Sequence, residues 1–386
     1  MNLLLIHNNY GIYSGEEAVV DKQIALFREL GCTVSEYRKT TEGVRGTLLG
    51  DIKGLLQGFY SPLSVKDIKQ LMKTNKPDVV IIHNLYPYIS PAVLKHIKKA
   101  GVPIIMTIHN FRLICPTGLF MREAKPCEYC LEKRNEWGCV KFNCEHSALK
   151  SLGYAGRNWF ARITKAYTDN VDYYACITKF QTEKLTQFGY PKERMLVIPN
   201  FADKVKEPIS YAGDYVAISG RISKEKGIDL IIELARQTPH ISYRFAGGIR
   251  PEDKDLIKDA PKNCIFLGYV SGDELTRFYQ NARFLLIGSR WYEGFPMTVL
   301  DASQYGKATI GPAHAGFLEI IDKDITGLLF TPSDVESMKQ QVERLWNDFE
   351  LAMKYGQAAF SKLINEYTLE AVKGKWDKLL KRSLQD

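Results

Sequence analysis

A chain of 386 residues that is 45% hydrophobic and 25% charged can build two cores, which excludes a disordered chain and a small disulfide-stapled scaffold. Its apolar runs, such as Leu3–Ile6, Val79–Ile82 and Ile104–Met106, fall far short of the roughly 20 residues that span a bilayer. The formal charge of +8 favours anionic partners: phosphates, nucleotides or an anionic membrane surface.

In chain order, "NLLLI" reads as a strand, and the N-terminus carries no basic leader or small-residue cleavage site, so a cytoplasmic protein is expected. A helix follows in "GEEAVVDKQIALFRELG", with Val20, Ile24, Phe27 and Leu30 at helical spacing and Gly31 as a stop. "PDVVIIHN" is a strand before the helix "SPAVLKHIKKAG", where Ser90 is placed at the N-cap and Pro91 at the first helical position. "VPIIMTIHN" and "VDYYACIT" continue the alternation. The polar stretch "IPNFADKVKEPISYAGD" reads as a linker. From about residue 215 a second series runs "DYVAISGR", "GIDLIIELARQ", "SYRFAGG", "CIFLGYV", "DELTRFYQNA", "RFLLIGS", a helix over 296–305, and "KATIG". Helical patterns at about 333–347, 350–364 and 368–382 close the chain. Alternating strands and helices predict α/β architecture, with each series forming one doubly wound parallel sheet.

In such sheets ligands bind beyond the carboxyl ends of strands, which draws attention to His7, Gly15, His83, His109, Gly220, Arg221 and Glu293. In "SRWYEGFPMTVLDASQYGKATIG" (289–311), Glu293 precedes a helix opened by Pro296, and Asp301 lies eight positions on. The free amides near Phe295, Met297 and Thr298 suit a phosphate, and the two flanking acids suit sugar and ribose hydroxyls. The alternative is that Glu293 caps the helix and Asp301 faces solvent. In "ISGRISKEKGIDLI" (218–231), Gly220 and Gly227 permit tight turns, while the Arg221 fork and the Lys226 point charge suit a diphosphate. "HNNYGIYSGEEAVV" (7–20) resembles a phosphate-approach loop with Gly15 at the helix start, but is not GxGxxG. The strings Asp253-Lys-Asp255 and Asp322-Lys-Asp324 read as surface chance rather than metal motifs. His83 reads as a strand-end polar residue, His96 as a solvated helix residue, and His314 as a loop residue without a role.

Five of the eight cysteines crowd into residues 115–144. Cys127, Cys130, Cys139 and Cys144 have the spacing of a four-thiolate zinc site, with Cys115 as an alternative ligand and His146 a weaker one. Free thiols in a loop, or an iron–sulfur cluster, are the competing readings.

The order "GRISKEKG", "FLGYVS", "EGFPMTVLDA" and "AGFLEIIDKDITGLLF", after "PDVVIIHN", "TIHN" and "VIPNF", resembles the retaining nucleotide-sugar glycosyltransferases of family four over nearly the whole chain. The resemblance implies the GT-B architecture: two Rossmann-like domains facing across a cleft, with a C-terminal helix crossing back to the first. The implied division is residues 1–203 on the acceptor side, with a Cys-rich insertion at about 112–147, then 204–365 as the donor domain, and 366–386 as the returning helix. It implies that Arg221 and Lys226, beside Gly220, bind the donor diphosphate and that Glu293, with the amides of Gly294, Phe295, Pro296, Met297 and Thr298 as its frame, holds the transferred sugar. Proline contributes no amide hydrogen to that frame. Asp301 would bind the ribose, Gly268, Tyr269 and Val270 the base, and Gly15 would allow close approach of backbone. His109 would contact the sugar near the reacting carbon, and Asn200 would line the cleft. The family usually has a second glutamate where this chain has Asp301, which is one methylene shorter. Catalysis would need no cofactor, and zinc would be structural. The implied partners are a UDP- or GDP-sugar, a glycan or lipid-linked acceptor, and peripheral contact with the anionic inner membrane surface, in cell-surface polysaccharide synthesis. Two alternatives stay open: a nucleotide-sugar epimerase of the same architecture, and a non-catalytic zinc-bearing nucleic-acid-binding protein.

Overall fold

The computed structural model describes residues 1–10, 15–42, 48–202 and 213–385. Part of the expected glycine loop (11–14), most of the expected linker (203–212) and the expected boundary at 203/204 lie outside the described residues. The chain divides into two compact units. The first comprises Met1–Phe120, Glu128–Pro199 and Val372–Asp386, and the second Met121–Cys127 and Asn200–Ala371.

The first unit is built on β1 (Asn2–Asn9), β2 (Thr33–Thr40), β3 (Val79–Ile82) and β4 (Ile104–Ile108). A short antiparallel hairpin, β5 (Met121–Arg122) and β6 (Lys125–Pro126), intervenes before β7 (Tyr173–Cys176) and β8 (Met195–Val197). The six long-range strands pair in parallel in the order β2-β1-β3-β4-β7-β8. The apolar runs of β3 and β4 are buried at every position, as strands covered on both faces must be. Edge strand β2, "TVSEYRKT", is polar and partly exposed. The helix Gly15–Glu29 buries Val20, Ile24 and Phe27, and Gly31 at φ 77 ends it in the left-handed region. Phe27 meets Trp376 edge-on at 5.1 Å, which ties the last helix, Leu369–Ser383, into this unit.

One expected cap is not made. The helix Ala92–Lys99 has Pro91 at its N-cap position, and Ser90 sits at φ 70, where its hydroxyl accepts a hydrogen bond from the Ser61 amide at 3.1 Å. Ser90 serves a neighbouring helix start rather than its own.

The second unit carries β9 (Tyr215–Ser219), β10 (Tyr243–Ala246), β11 (Cys264–Gly268), β12 (Ala282–Leu286), β13 (Thr309–Pro312) and β14 (Gly327–Phe330). They form a parallel sheet in the order β11-β10-β9-β12-β13-β14, which is the dinucleotide-fold order 3-2-1-4-5-6. Ile218, Ile231, Phe245, Phe284 and Phe330 fill its core, and Met338 and Val342 of the helix Val335–Asn347 cover one face. Each unit is thus a doubly wound α/β sheet. The strand order reverses between β1 and β3 in the first unit and between β9 and β12 in the second, and crevices open at those points.

Trp376 is 1% exposed, so Trp376→Ala should destabilise the first unit by about 3–5 kcal/mol in urea unfolding, and Trp376→Phe by much less. A loss under about 1 kcal/mol for the alanine variant would contradict this docking of the last helix.

Candidate active site

At the reversal point of the second sheet, two loops meet backbone to backbone. Gly227 has φ 68, and a Cβ there would lie 2.0 Å from the Gly288 carbonyl oxygen. Only glycine lets the loop after β9 approach the loop after β12 this closely. The approach places Lys226 Nζ 2.9 Å from Glu293 Oε1. The Ser289 hydroxyl donates to the same oxygen. Burial alone would push the Glu293 carboxyl up, but the Lys226 charge and the hydrogen bonds from Lys226 and Ser289 outweigh it and hold the group below the ordinary value. The buried His314 places Nε2 3.1 Å from the Ser289 carbonyl oxygen, and burial pushes its pKa down.

Beside this pair, Gly220 ends β9 at φ 117, and Arg221 donates to Glu225 Oε1 at 2.5 Å. Arg221 Nε is buried and makes no hydrogen bond, so a donor waits there for an acceptor. The helix Met297–Gln304 starts with Pro296 at its N-cap. Phe295 is buried edge-on against Tyr367 at 5.6 Å, while Met297 and Thr298 are half-buried in the first turn. The Gly294 carbonyl lies 2.7 Å from where a Cβ on Gly316 would stand. Glu293 does not cap the helix; its side chain turns to Lys226 and Ser289. Asp301 is half-buried, and the buried Tyr279 phenol is raised by burial and then by the Asp301 charge. At the end of β11, Gly268 has φ 73, Tyr269 is 82% exposed and Val270 is buried. Asn200 is buried, and its Oδ1 accepts no hydrogen bond.

The first unit has its own polar cluster at the carboxyl ends of β1, β3 and β4. His83 Nδ1 is 2.8 Å from His109 Nε2, with the rings stacked at 5.1 Å, and His7 meets His83 edge-on at 6.0 Å. Both ring nitrogens of His7 and Nε2 of His83 are buried without a hydrogen bond. Burial pushes His7 and His109 down to about 4 and His83 well below its ordinary value, so all three rings are neutral at pH 7. His83, His109, Asn84 and Arg112 line a cavity there together with Leu85, Met106 and Leu113. Arg112 donates to the Tyr10 hydroxyl at 3.3 Å and to Asn84 Oδ1 at 3.1 Å. Gly15 opens the first helix, with no atom within 4 Å of where its Cβ would stand.

A family model described as Glycosyltransferase Family 4 matches residues 51–205, and one described as Glycosyl transferases group 1 matches 201–362; together they take in well over half of the chain. The chain belongs to glycosyltransferase family 4. Among curated family relatives, an alpha-galactosylglucosyldiacylglycerol synthase of Streptococcus pneumoniae is 30% identical over 37% of this chain and 44% of its own length. The chain therefore spans less than half of that relative. An uncharacterized glycosyltransferase of Methanocaldococcus jannaschii is 22% identical over 81% of this chain and 76% of its own length. Among solved structures, Anabaena HepE in complex with UDP and glucose superposes with a TM-score of 0.66 at 14% identity, covering 99% of this chain and 100% of that one. That likeness carries the GT-B fold alone.

The family motifs single out neither His83 nor His314, although both touch site residues. The signal for His83 was its place directly after a buried strand, the same place His109 holds. His314 lies directly after β13 and its neighbour Ala313, and nothing in its local pattern marks it. Asp322 pairs with Lys362 at 2.7 Å and Asp324 with Arg344 at 2.6 Å, so that acidic string is committed to salt bridges. The cysteine tetrad is not assembled: among the described residues, no group of three or more His, Cys, Asp or Glu side chains could hold a metal ion. Hydrogen bonding to Cys144, then burial, raises the Cys139 thiol, and burial raises Cys115. Neither zinc nor an iron–sulfur cluster is carried further.

Lys226→Met strands a buried carboxylate and should cost about 3 kcal/mol at pH 7. That deficit should shrink toward pH 5, because burial then raises the Glu293 pKa and protonation removes the orphan charge. A cost that does not vary with pH would contradict the pairing. The three histidines predict an acid-labile first unit. Their folded pKa values lie below the unfolded value, so their neutral burial is unopposed above about pH 6.5 and stability is lost as pH falls from there toward about 4. His7 and His109 each contribute on the order of 2 kcal/mol of loss between pH 7 and 5, His83 adds to it in the same direction, and His7→Asn should flatten the slope of stability against pH.

Proposed function

We propose that this family 4 member transfers a sugar from a UDP- or GDP-sugar to a glycan or lipid-linked acceptor, with retention of anomeric configuration, in cell-surface polysaccharide synthesis. The observation that carries the reading is the Lys226–Glu293–Ser289 constellation beside the unsatisfied Arg221 Nε, at the crevice where a doubly wound sheet binds nucleotides. The UDP and glucose in the Anabaena protein of the same fold support a nucleotide donor, and the diacylglycerol-glycolipid relative supports a lipid-linked acceptor.

In the reaction, the bond between the anomeric carbon and the distal phosphate oxygen breaks, and its electron pair leaves with the nucleoside diphosphate. The acceptor hydroxyl bonds to the anomeric carbon, and its proton passes to the departing phosphate oxygen. Arg221, Lys226 and the first-turn amides of the helix Met297–Gln304 meet the negative charge that develops there, which requires no added metal. Lys226 has three donors, and Glu293 takes one of them. Glu293 orients the sugar hydroxyls, Asp301 the ribose, and Gly268, Tyr269 and Val270 the base. In the first unit, neutral His109 would contact the sugar near the reacting carbon and Gly15 would allow close approach of backbone, while Asn200, at the start of the second unit, would line the cleft. Peripheral contact with an anionic inner-leaflet surface would bring the enzyme to its acceptor.

A panel of UDP-, GDP- and ADP-sugars should raise the Tm of the protein for one base, and Arg221→Ala should abolish the shift. A shift that survives Arg221→Ala would remove the diphosphate site from these residues. Donor alone should slowly release nucleoside diphosphate, with the rate unchanged by EDTA. Conversion of the sugar without that release would mark an epimerase.

A further inference from the structure

A surface helix ordinarily turns its polar side outward. The helix Ala148–Ile163 does the reverse. Its solvent side carries Leu149, Leu152, Trp159, Phe160 and Ile163, with exposures of 62, 50, 37, 37 and 48%. At about 100° per residue these five fall in one stripe roughly 100° wide. Its inner side mixes Ser151, Arg157 and Asn158 with the small residues Gly153, Ala155 and Ala161 and buries no large apolar side chain. Arg157 is buried and donates to the Pro116 carbonyl at 3.1 Å, and the buried Asn158 donates to the Arg112 carbonyl at 2.5 Å.

The apolar stripe continues onto neighbouring elements. Trp137 of the Cys-rich insertion lies 6.1 Å from Trp159, and Phe59 lies 6.1 Å from Phe160. Gly153 and Gly156 let the helix Leu48–Phe59 come close, since a Cβ on them would stand 2.0 Å from Leu55 Cδ1 and 3.0 Å from Phe59 Cζ. That helix and the residue after it add Leu56 and Tyr60, which are 64 and 50% exposed. Basic residues rim the face. Lys150 and Arg162 lie on the same helix, Lys165 just beyond its end, and Lys133 shares Asn135 with Trp137 through hydrogen bonds of 3.0 and 3.1 Å. The nearby acid Glu136 is buried and spent on Arg162 at 2.8 Å.

We infer that the first unit docks on an anionic lipid bilayer through this inverted face of the helix Ala148–Ile163, with Trp137, Trp159 and Phe160 at the headgroup boundary and the lysine rim on the lipid phosphates. This deepens the reading of a lipid-linked acceptor and rests on it for its purpose. Tryptophan with a Lys/Arg rim is the composition that interfacial helices use. Charge argues against a second copy as the occupant, because a two-fold contact would set this basic rim against itself. An anionic surface gains from each lysine instead.

The test is sedimentation of the full chain with vesicles of phosphatidylcholine alone, and with about one-third phosphatidylglycerol. The wild type should bind the anionic vesicles and release at high salt. Leu152→Glu with Ile163→Glu should lower the bound fraction about tenfold, and Lys133→Glu with Lys165→Glu should lower it severalfold. Donor hydrolysis and Tm of both variants should match the wild type, which separates docking from folding and from the transferase reading. Absence of donor hydrolysis in every form would count against the transferase reading alone. Docking is overturned if the wild type ignores anionic vesicles, if both variants bind as it does, or if light scattering shows a dimer that Leu152→Glu with Ile163→Glu dissolves while vesicle binding persists.

Discussion

The second unit depends on the ion pair of half-buried Lys226 with buried Glu293, held where the loops after β9 and β12 touch. Neither partner stands well alone. A carboxylate this deeply buried would take up a proton without the ammonium, and the loop carrying Lys226 reaches it only because Gly227 lacks a side chain. The strand order brings the two loops together at the one place where consecutive connections diverge to opposite sides of the sheet. Topology, a glycine and a charge pair thus act as one device, and the diphosphate role we propose for Arg221 and Lys226 draws on all three.

The first unit solves a different problem with neutral groups. His7, His83 and His109 rise from three adjacent strands, the first two buried and the third half-buried, all uncharged, and the bond between His83 and His109 fixes two rings at once. Because a ring nitrogen is either donor or acceptor when neutral, the state of His83 sets what His109 offers to the cavity. Arg112, half-buried and bonded to Tyr10 and Asn84, lines the same cavity.

Much of this was legible in the sequence because the buried strands are short apolar runs and the motif residues follow them directly. β3, β4, β9 and β12 all show this pattern, and the three closing helices fall where their periodicity put them. Edge strand β2 was illegible because one of its faces meets water, so its residues alternate charge instead of concentrating hydrophobicity. The helix Ala148–Ile163 escaped for the opposite reason: its apolar stripe and its buried Arg157 and Asn158 invert the pattern that marks a soluble helix. The cysteine spacing does not say which way thiols point, and among the described residues no group of three or more His, Cys, Asp or Glu is gathered for a metal ion. Ser90 misled because the cap rule is local, while its hydroxyl bonds Ser61 across the fold.

The glycines also divide the second unit into parts that can and cannot drift. Around Gly227, backbone meets backbone, and no side chain of any size has room. At the end of β11, Gly268 has open space beside it and Tyr269 stands almost wholly in solvent. Change can therefore enter this lobe at the Tyr269 side chain, where solvent receives it, while Gly268 is held by its positive φ and Gly227 by both its φ and the backbone against it.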